Sequence, residues 1–247
     1  MRNSQSLIFD NRKLSDIVTH GMQLLGVALP PGADAVFEAY YEFLEKRGRS
    51  VNLTAITGAE DVARLHFLDS IALLNAVKFS GARVIDIGSG AGFPGLPLMI
   101  TEPSICLTLL DATGKRVAFL SELCEVLNLN VACIHARAEE SAHKHDMREQ
   151  YDIAVSRAVA RLNVICELCL PFVRIGGMFI AMKSADSADE LAEALSAIET
   201  LGAKLSHCYD YTIPGTGIIH RAVIVVKNLS TPEKYPRRFS RIQKSPL

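Results

Sequence analysis

The sequence predicts an α/β fold: a seven-stranded, mostly parallel sheet with a reversed last strand, preceded by a helical N-terminal extension. Three observations carry that reading. From Arg83 onward, short apolar runs alternate with segments of helical spacing, the pattern of a parallel sheet covered on both faces. The first run, with Val84, Ile85 and Ile87, breaks into glycines at 88, 90, 92 and 95, as a buried strand ending in a tight turn does. The last two runs, 203–211 and 219–226, are joined by a Pro-Gly-Thr-Gly loop of about seven residues. A parallel crossover needs about a dozen or more, so this pair is antiparallel.

The elements follow in order. Residues 12–27 place Leu14, Ile17, Val18, Leu24 and Leu25 at helical spacing, and 33–47 do the same with Val36, Phe37, Tyr40, Phe43 and Leu44, closed off by Gly48. Val51-Asn52-Leu53-Thr54 reads as a connector, and Glu60 to Val77 as a third helix with a broad apolar face. Strand 83–87, helix 95–101, strand 105–110, helix 114–127 and strand 131–135 come next. After a weakly marked helix, strand 151–156, helix 161–170, strand 177–182 and helix 187–200 lead to the final pair. This divides the chain into a helical extension over 1–78, an α/β domain over 79–228 and a basic tail over 229–247.

Composition sets outer bounds. At 247 residues, 49% hydrophobic and 21% charged, the chain buries a full core. The early apolar stretch is cut at Asp10, and no later segment approaches about 20 uninterrupted apolar residues, so neither export nor membrane insertion is expected. Six cysteines, mostly inside apolar patterns, read as reduced thiols of a cytoplasmic protein. No metal is expected. Cys166-Glu-Leu-Cys169 lies within a helical apolar pattern without a second pair, and His143-Lys-His145 lacks a partner at ligand spacing. Nor is there a Ser-His-Asp elbow. From Asn228 on, Lys234, Arg237, Arg238, Arg241 and Lys244 oppose only Glu233, a basic end on a chain of formal net charge −1. Such an end either contacts phosphate or is simply solvated.

The glycine turn is the first chemical signal. Gly90, Gly92 and Gly95 fit the dinucleotide fingerprint, while Asp86-x-Gly88-x-Gly90-x-Gly92 fits the loop shared by S-adenosylmethionine-dependent methyltransferases. Glycines permit close backbone approach to a ligand, and the helix after Pro94 is expected to aim free N–H groups at the same space. Asp111, 23 residues past Gly88 at the end of the second strand, suits hydrogen bonds from ribose hydroxyls. Asp86 separates the two cofactors: beside a pyrophosphate a carboxylate repels, and beside a methionine ammonium it attracts. S-adenosylmethionine is favoured over a nicotinamide; a turn without a ligand is the plain structural alternative.

Other candidates stand at strand ends and connectors, where α/β folds bind ligands: Asn52, His66, Asp69, Ala138, Glu139, Arg157 and Lys183. Arg157 and Lys183 close neighbouring strands, and a guanidinium there needs an anionic or polar partner. Together they suggest a pocket for an acceptor-rich substrate; singly, each is a structural cap.

Asn52-Leu-Thr-Ala-Ile, His66-Phe-Leu-Asp-Ser-Ile, Gly88-Ser-Gly-Ala-Gly-Phe-Pro-Gly, Leu110-Asp-Ala-Thr-Gly-Lys-Arg-Val-Ala-Phe-Leu and Ser156-Arg-Ala-Val-Ala resemble, in this order, the glucose-inhibited division protein B family. These are bacterial small-subunit ribosomal RNA guanine-N7 methyltransferases. The resemblance implies the class I S-adenosylmethionine-dependent methyltransferase fold and methylation of N7 of a guanine in 16S ribosomal RNA, within the small subunit, in the cytoplasm. It implies a cofactor site of Gly88 and Phe93 with the loop residues Asp86, Gly90 and Gly92, then Asp111, Ala112 and Thr113, Ala138 with Glu139, and Arg157. Arg157, Lys183 and Asn52 are the residues expected to serve the reaction. Ser184 stands where the family usually has glycine, and Tyr235-Pro-Arg-Arg lacks its usual following glycine and proline. A nicotinamide oxidoreductase and a non-catalytic ribosome-binding module are the alternatives.

Overall fold

The computed structural model describes residues 13–51, 53–157 and 159–247, with side chains 49–51 left aside. Helices α1 (Leu14–Leu25) and α2 (Ala33–Val51) come first. One helical run then changes pitch three times, through α3 (Ala59–Val62), a π-helical stretch (Ala63–Leu68), α4 (Asp69–Ile71) and a 3-10 turn (Ala72–Asn75). The alternating part is β1 (Arg83–Ile87), α5 (Gly95–Thr101), β2 (Cys106–Asp111), α6 (Gly114–Val126), β3 (Ala132–His135), α7 (Ala138–Ser141) and β4 (Tyr151–Arg157). It continues with α8 (Leu162–Cys169), β5 (Val173–Ser184), α9 (Ala188–Thr200), β6 (Ala203–Thr212) and β7 (Ile219–Lys227), and ends in α10 (Phe239–Lys244).

The seven strands lie in the order β3-β2-β1-β4-β5-β7-β6, and β7 runs antiparallel to both its neighbours. Period-two alternation assigns each strand residue to a face. Val84, Leu107, Leu109, Ile153, Val155 and Ile180 join one core with α1, α2, α5 and α6, while Ile85, Ile87, Leu110, Ala154, Phe179 and Ala181 join the other with α8 and α9. The N-terminal helices therefore complete one face of the sheet. Strand order reverses between β1 and β4, and this is where open α/β sheets bind ligands.

Three boundaries differ from the sequence reading. Helix α2 continues through Gly48 to Val51, because Gly48 packs where a Cβ would sit 3.0 Å from Leu44 Cδ1 and is not a left-handed cap. Strand β5 begins four residues early, and Gly176 (φ +81°) and Gly177 absorb a register shift opposite Tyr151 and Ile153. The basic tail is neither detached nor wholly solvated. Arg237 forks onto the buried Glu167 carboxylate at 2.8 and 2.6 Å, Arg148 donates to the carbonyls of Thr231 and Tyr235, and Tyr235 and Ile242 are buried. Lys234, Arg238, Arg241 and Lys244 remain exposed.

Candidate functional site

After β1 the chain turns through Gly88, Gly90 and Gly92, at φ +73°, +57° and +101°. At Gly92 a Cβ would lie 2.5 Å from Leu96 Cδ1 and 2.6 Å from Tyr40 Oη, so glycine is required by space as well as by φ. A Cβ on Gly90 would meet only the Gly88 carbonyl oxygen, at 3.9 Å, so what it would fill is open space over the loop. The turn is fastened from several sides. Ser89 Oγ donates to the Asp86 carbonyl at 2.8 Å and accepts from Leu110 N at 3.0 Å, and Tyr40 Oη donates to the Ala91 carbonyl at 2.6 Å. Asp111 accepts from Gly90 N at 3.0 Å and from Thr113 N at 2.8 Å.

A cavity of about 480 Å³ opens here, lined by the glycine loop with Phe93, by Asp111 to Thr113 with Arg116, and by Leu53, Thr54, His66, Arg157 and Val159. Its size and donor set fit S-adenosylmethionine. A pocket of this volume takes a small ligand, a Cβ-free loop leaves room for the backbone to approach it, and each Asp111 oxygen keeps a lone pair for a ribose hydroxyl.

On the cavity's other side the π-helical turn does the positioning. Arg157, at the end of β4, donates through Nη1 to the Leu65 carbonyl at 3.0 Å and to Asp69 Oδ2 at 3.1 Å, and through Nη2 to His66 Nδ1 at 2.9 Å. An arginine is always a donor, so Nδ1 is the acceptor and the proton of neutral His66 sits on Nε2, 2.8 Å from Thr54 Oγ1. Burial, reinforced by the Arg157 charge, holds His66 down at about 3. Its ring stacks on Phe93 at 4.4 Å, and the Arg157 guanidinium lies 5.0 Å from the same phenyl centroid. Buried Asp69 also accepts from Tyr211 Oη and His220 Nδ1, each at 2.8 Å, and that bond raises the His220 pKa.

The structure brings His66, Gly88, Gly90, Phe93, Asp111, Ala112, Thr113 and Arg157 to one cavity, and sets Asp69 behind Arg157. Asn52 lies outside the described residues. Four expectations are corrected. Asp86 is wholly buried beneath the loop and accepts from Gly95 N at 2.9 Å, so it fastens the turn and does not face the cavity. Its other oxygen has no partner, and burial lifts its pKa to about 7. The α5 N–H groups are spent within the protein, Gly95 N on Asp86 and Leu96 N on the Gly92 carbonyl, so they do not aim at a ligand. Lys183 donates to Glu190 at 2.6 Å and to the Ala160 carbonyl at 2.7 Å, which ties the segment after β4 to α9 and leaves no free ammonium over the cavity. Ala138 is buried, and Glu139 lines a separate depression with Arg137 and Arg238.

Sequence reasoning missed Tyr40, Thr54, Tyr211 and His220. Tyr40 was legible only as part of an apolar stripe, and His220 is 151 residues from its partner Asp69, with no local pattern to join them.

A seven-stranded sheet with one reversed strand and a glycine-walled cavity at the β1/β4 switch point defines a class I methyltransferase, whose methyl donor is S-adenosylmethionine. The family model described as rRNA small subunit methyltransferase G matches residues 34–214. A protein of Clostridium perfringens strain 13 named ribosomal RNA small subunit methyltransferase G is 45% identical over 213 residues, 85% of this chain and 89% of that protein. One of the same name from Acetivibrio thermocellus is 41% identical over 236 residues, covering 95% and 97%. The chain therefore belongs to the rRNA small subunit methyltransferase G family. Among solved structures, the mitomycin 7-O-methyltransferase MmcR is similar in fold, with a TM-score of 0.54 at 15% identity over 87% of this chain and 67% of that one. No helix of the described residues is long and apolar enough to cross a membrane.

Proposed function

We propose that this enzyme methylates N7 of one guanine in 16S ribosomal RNA of the small ribosomal subunit, in the cytoplasm. Bound in the cavity, S-adenosylmethionine supplies an electrophilic methyl group. The loop at Gly88, Gly90 and Gly92 with Phe93 holds the donor, and Asp111 to Thr113 take its ribose end. Guanine N7 carries a lone pair and no proton at neutral pH, so methylation needs no general base and rests on positioning and electrostatics.

The observation that supports this reading is the state of His66. It lines the cavity, yet its Nδ1 lone pair is taken by Arg157 and its proton faces Thr54, so the imidazole is held where it cannot accept a proton from substrate. Arg157 contacts guanine O6 or a flanking phosphate and must leave N7 free, unlike the bidentate arginine–guanine pair that occupies both atoms. The base enters unstacked.

Borohydride and aniline cleave RNA at 7-methylguanosine, so one new cleavage that depends on active enzyme and S-adenosylmethionine is the expected result. Methyl groups found on a base amino group or a ribose hydroxyl would refute the reading. The chemical step should also lack a rising limb between roughly pH 6 and 8, where a titrating base would impose one.

A further inference from the structure

The cysteines occupy distinct environments. Cys166 and Cys169 are fully buried in α8, and burial pushes both thiols up. Cys106 is exposed at the start of β2. Cys124 and Cys133 differ from all of these, because they line one solvent-open cavity of about 560 Å³ together with Ser121, Glu125 and Asn128.

Local geometry explains the pairing. Leu129 N donates back to the Cys124 carbonyl at 2.9 Å and Asn128 adopts φ +52°, so the chain reverses as soon as α6 ends and β3 returns beside it. This brings Cys133 and Cys124 to one wall of that cavity, beside Ser121. Cys124 is buried at 4% exposure and Cys133 is half-buried, so Cys133 is the more accessible of the two. Across the sheet the neighbour of Cys133 is Leu109, and Glu125 is the carboxylate on the cavity rim. The proximity of the two thiols lowers the pKa of Cys133 and raises that of Cys124. Neither residue lines the cofactor cavity.

We propose that Cys133 and Cys124 form an oxidisable dithiol, with Cys133 as the peroxide-reactive thiolate and Cys124 as its resolving thiol. In the first step the Cys133 sulfur attacks hydrogen peroxide: an S–O bond forms, the O–O bond breaks, hydroxide leaves, and the sulfur is oxidised by two electrons to a sulfenic acid. In the second, the Cys124 sulfur attacks Cys133, the S–S bond forms, the S–O bond breaks, and the hydroxyl leaves as water with the Cys124 proton. Two thiols and one peroxide give one disulfide and two waters.

The test uses the full chain. Reduced protein is pulsed with iodoacetamide at pH 7, and Cys133 should be alkylated about tenfold faster than the exposed Cys106, because the thiolate is the nucleophile and the neighbouring thiol lowers the pKa of Cys133. After stoichiometric hydrogen peroxide and blocking of free thiols, the tryptic peptide 117–137, which contains both cysteines and no internal Lys or Arg, should be lighter by two hydrogens and carry no blocking group. Cleavage after Glu125 should then leave the two halves joined until dithiothreitol is added. Cys124→Ser should stop at a sulfenic acid that dimedone traps on Cys133, and Cys133→Ser should abolish both products. Equal alkylation of Cys106 and Cys133, a sulfenic acid that persists in the unaltered protein, or linkage through another cysteine would overturn the proposal.

Discussion

Strands β4 and β5 lie side by side and each carries a cation at or next to its end, yet the two cations have opposite fates. Arg157 is gripped by Leu65, His66 and Asp69, all from the helical run before the sheet, and its guanidinium stays at the cavity wall. Lys183 meets Glu190 from the following helix and is drawn into a pair that joins two surface segments. The strand end supplies the same opportunity twice. What decides the role is which element delivers the counter-charge, and from which side. A carboxylate buried among helices that pack on the sheet holds the arginine in place, whereas one on the next helix simply neutralises the lysine.

Removing the counter-charges gives the largest effect. Asp69 is 1% exposed and serves Arg157, Tyr211 and His220 at once, so Asp69→Ala should cost about 3–5 kcal/mol, the usual loss on breaking a buried pair. Glu190→Ala, on a partly exposed pair, should cost about 1 kcal/mol or less. Urea unfolding of both variants checks the contrast, and equal losses would erase it. In the Asp69 variant the His220 pKa should also fall, which proton NMR reads directly, because the bond that raises it is gone.

The second prediction concerns activity. Arg157→Ala should reduce methyl transfer by about 10²–10³ while the protein stays folded, since Tyr211 and His220 still hold Asp69 through Oδ1. Lys183→Ala should reduce it only a few-fold. A Lys183 variant as impaired as the Arg157 one would restore the symmetrical role that the strand positions suggested.

How much of this was legible in the sequence depends on where each partner comes from. The strand order's reversed end, the glycine turn and Asp111 were readable because their determinants are local: alternation, loop length, and a carboxylate closing a strand. His66 and Asp69 were visible as polar residues in an apolar helix, but the π turn that frees the Leu65 carbonyl for Arg157 leaves no mark in the spacing. Asp86 was misjudged for a related reason. Its charge was weighed against a ligand, while in the structure it is enclosed by β1, the loop and Gly95, where burial outweighs everything else acting on it. The tail was read by charge alone, and nothing near Arg237 in sequence announces that Glu167 is waiting for it.

Asp86 supplies the third prediction. Its folded pKa of about 7 lies above that of an unfolded aspartate, so the folded chain keeps a proton that the unfolded chain releases. Stability from this group is complete below about pH 4 and is lost as pH rises to about 7. Asp86→Asn is neutral throughout and keeps an acceptor for Gly95 N, so the ligand-free variant should be more stable than the parent by a few kcal/mol at pH 8, a gap that closes near pH 4. Denaturant midpoints across that range test the sign; a variant less stable at pH 8 would show that the carboxylate is ionised and held by a partner.

The smallest effect separates the tail's two kinds of cation. Arg237 is bound to Glu167 and holds the tail down, whereas Lys234, Arg238, Arg241 and Lys244 are exposed and free to meet phosphate. Each phosphate contact made by one of them adds close to one unit to the slope of log affinity against log salt. Replacing Arg238 and Arg241 together by Ala should therefore flatten the salt dependence of binding to small-subunit RNA by up to about two units, with S-adenosylmethionine affinity and unfolding midpoint unchanged. Arg237→Ala should do the reverse, lowering stability by a few kcal/mol through the stranded Glu167 and moving the salt slope little. Fluorescence anisotropy at four or five salt concentrations distinguishes the two. If the double variant binds RNA with the parent's slope, the exposed tail charges only solvate the surface, and the phosphate contacts must come from another face of the protein.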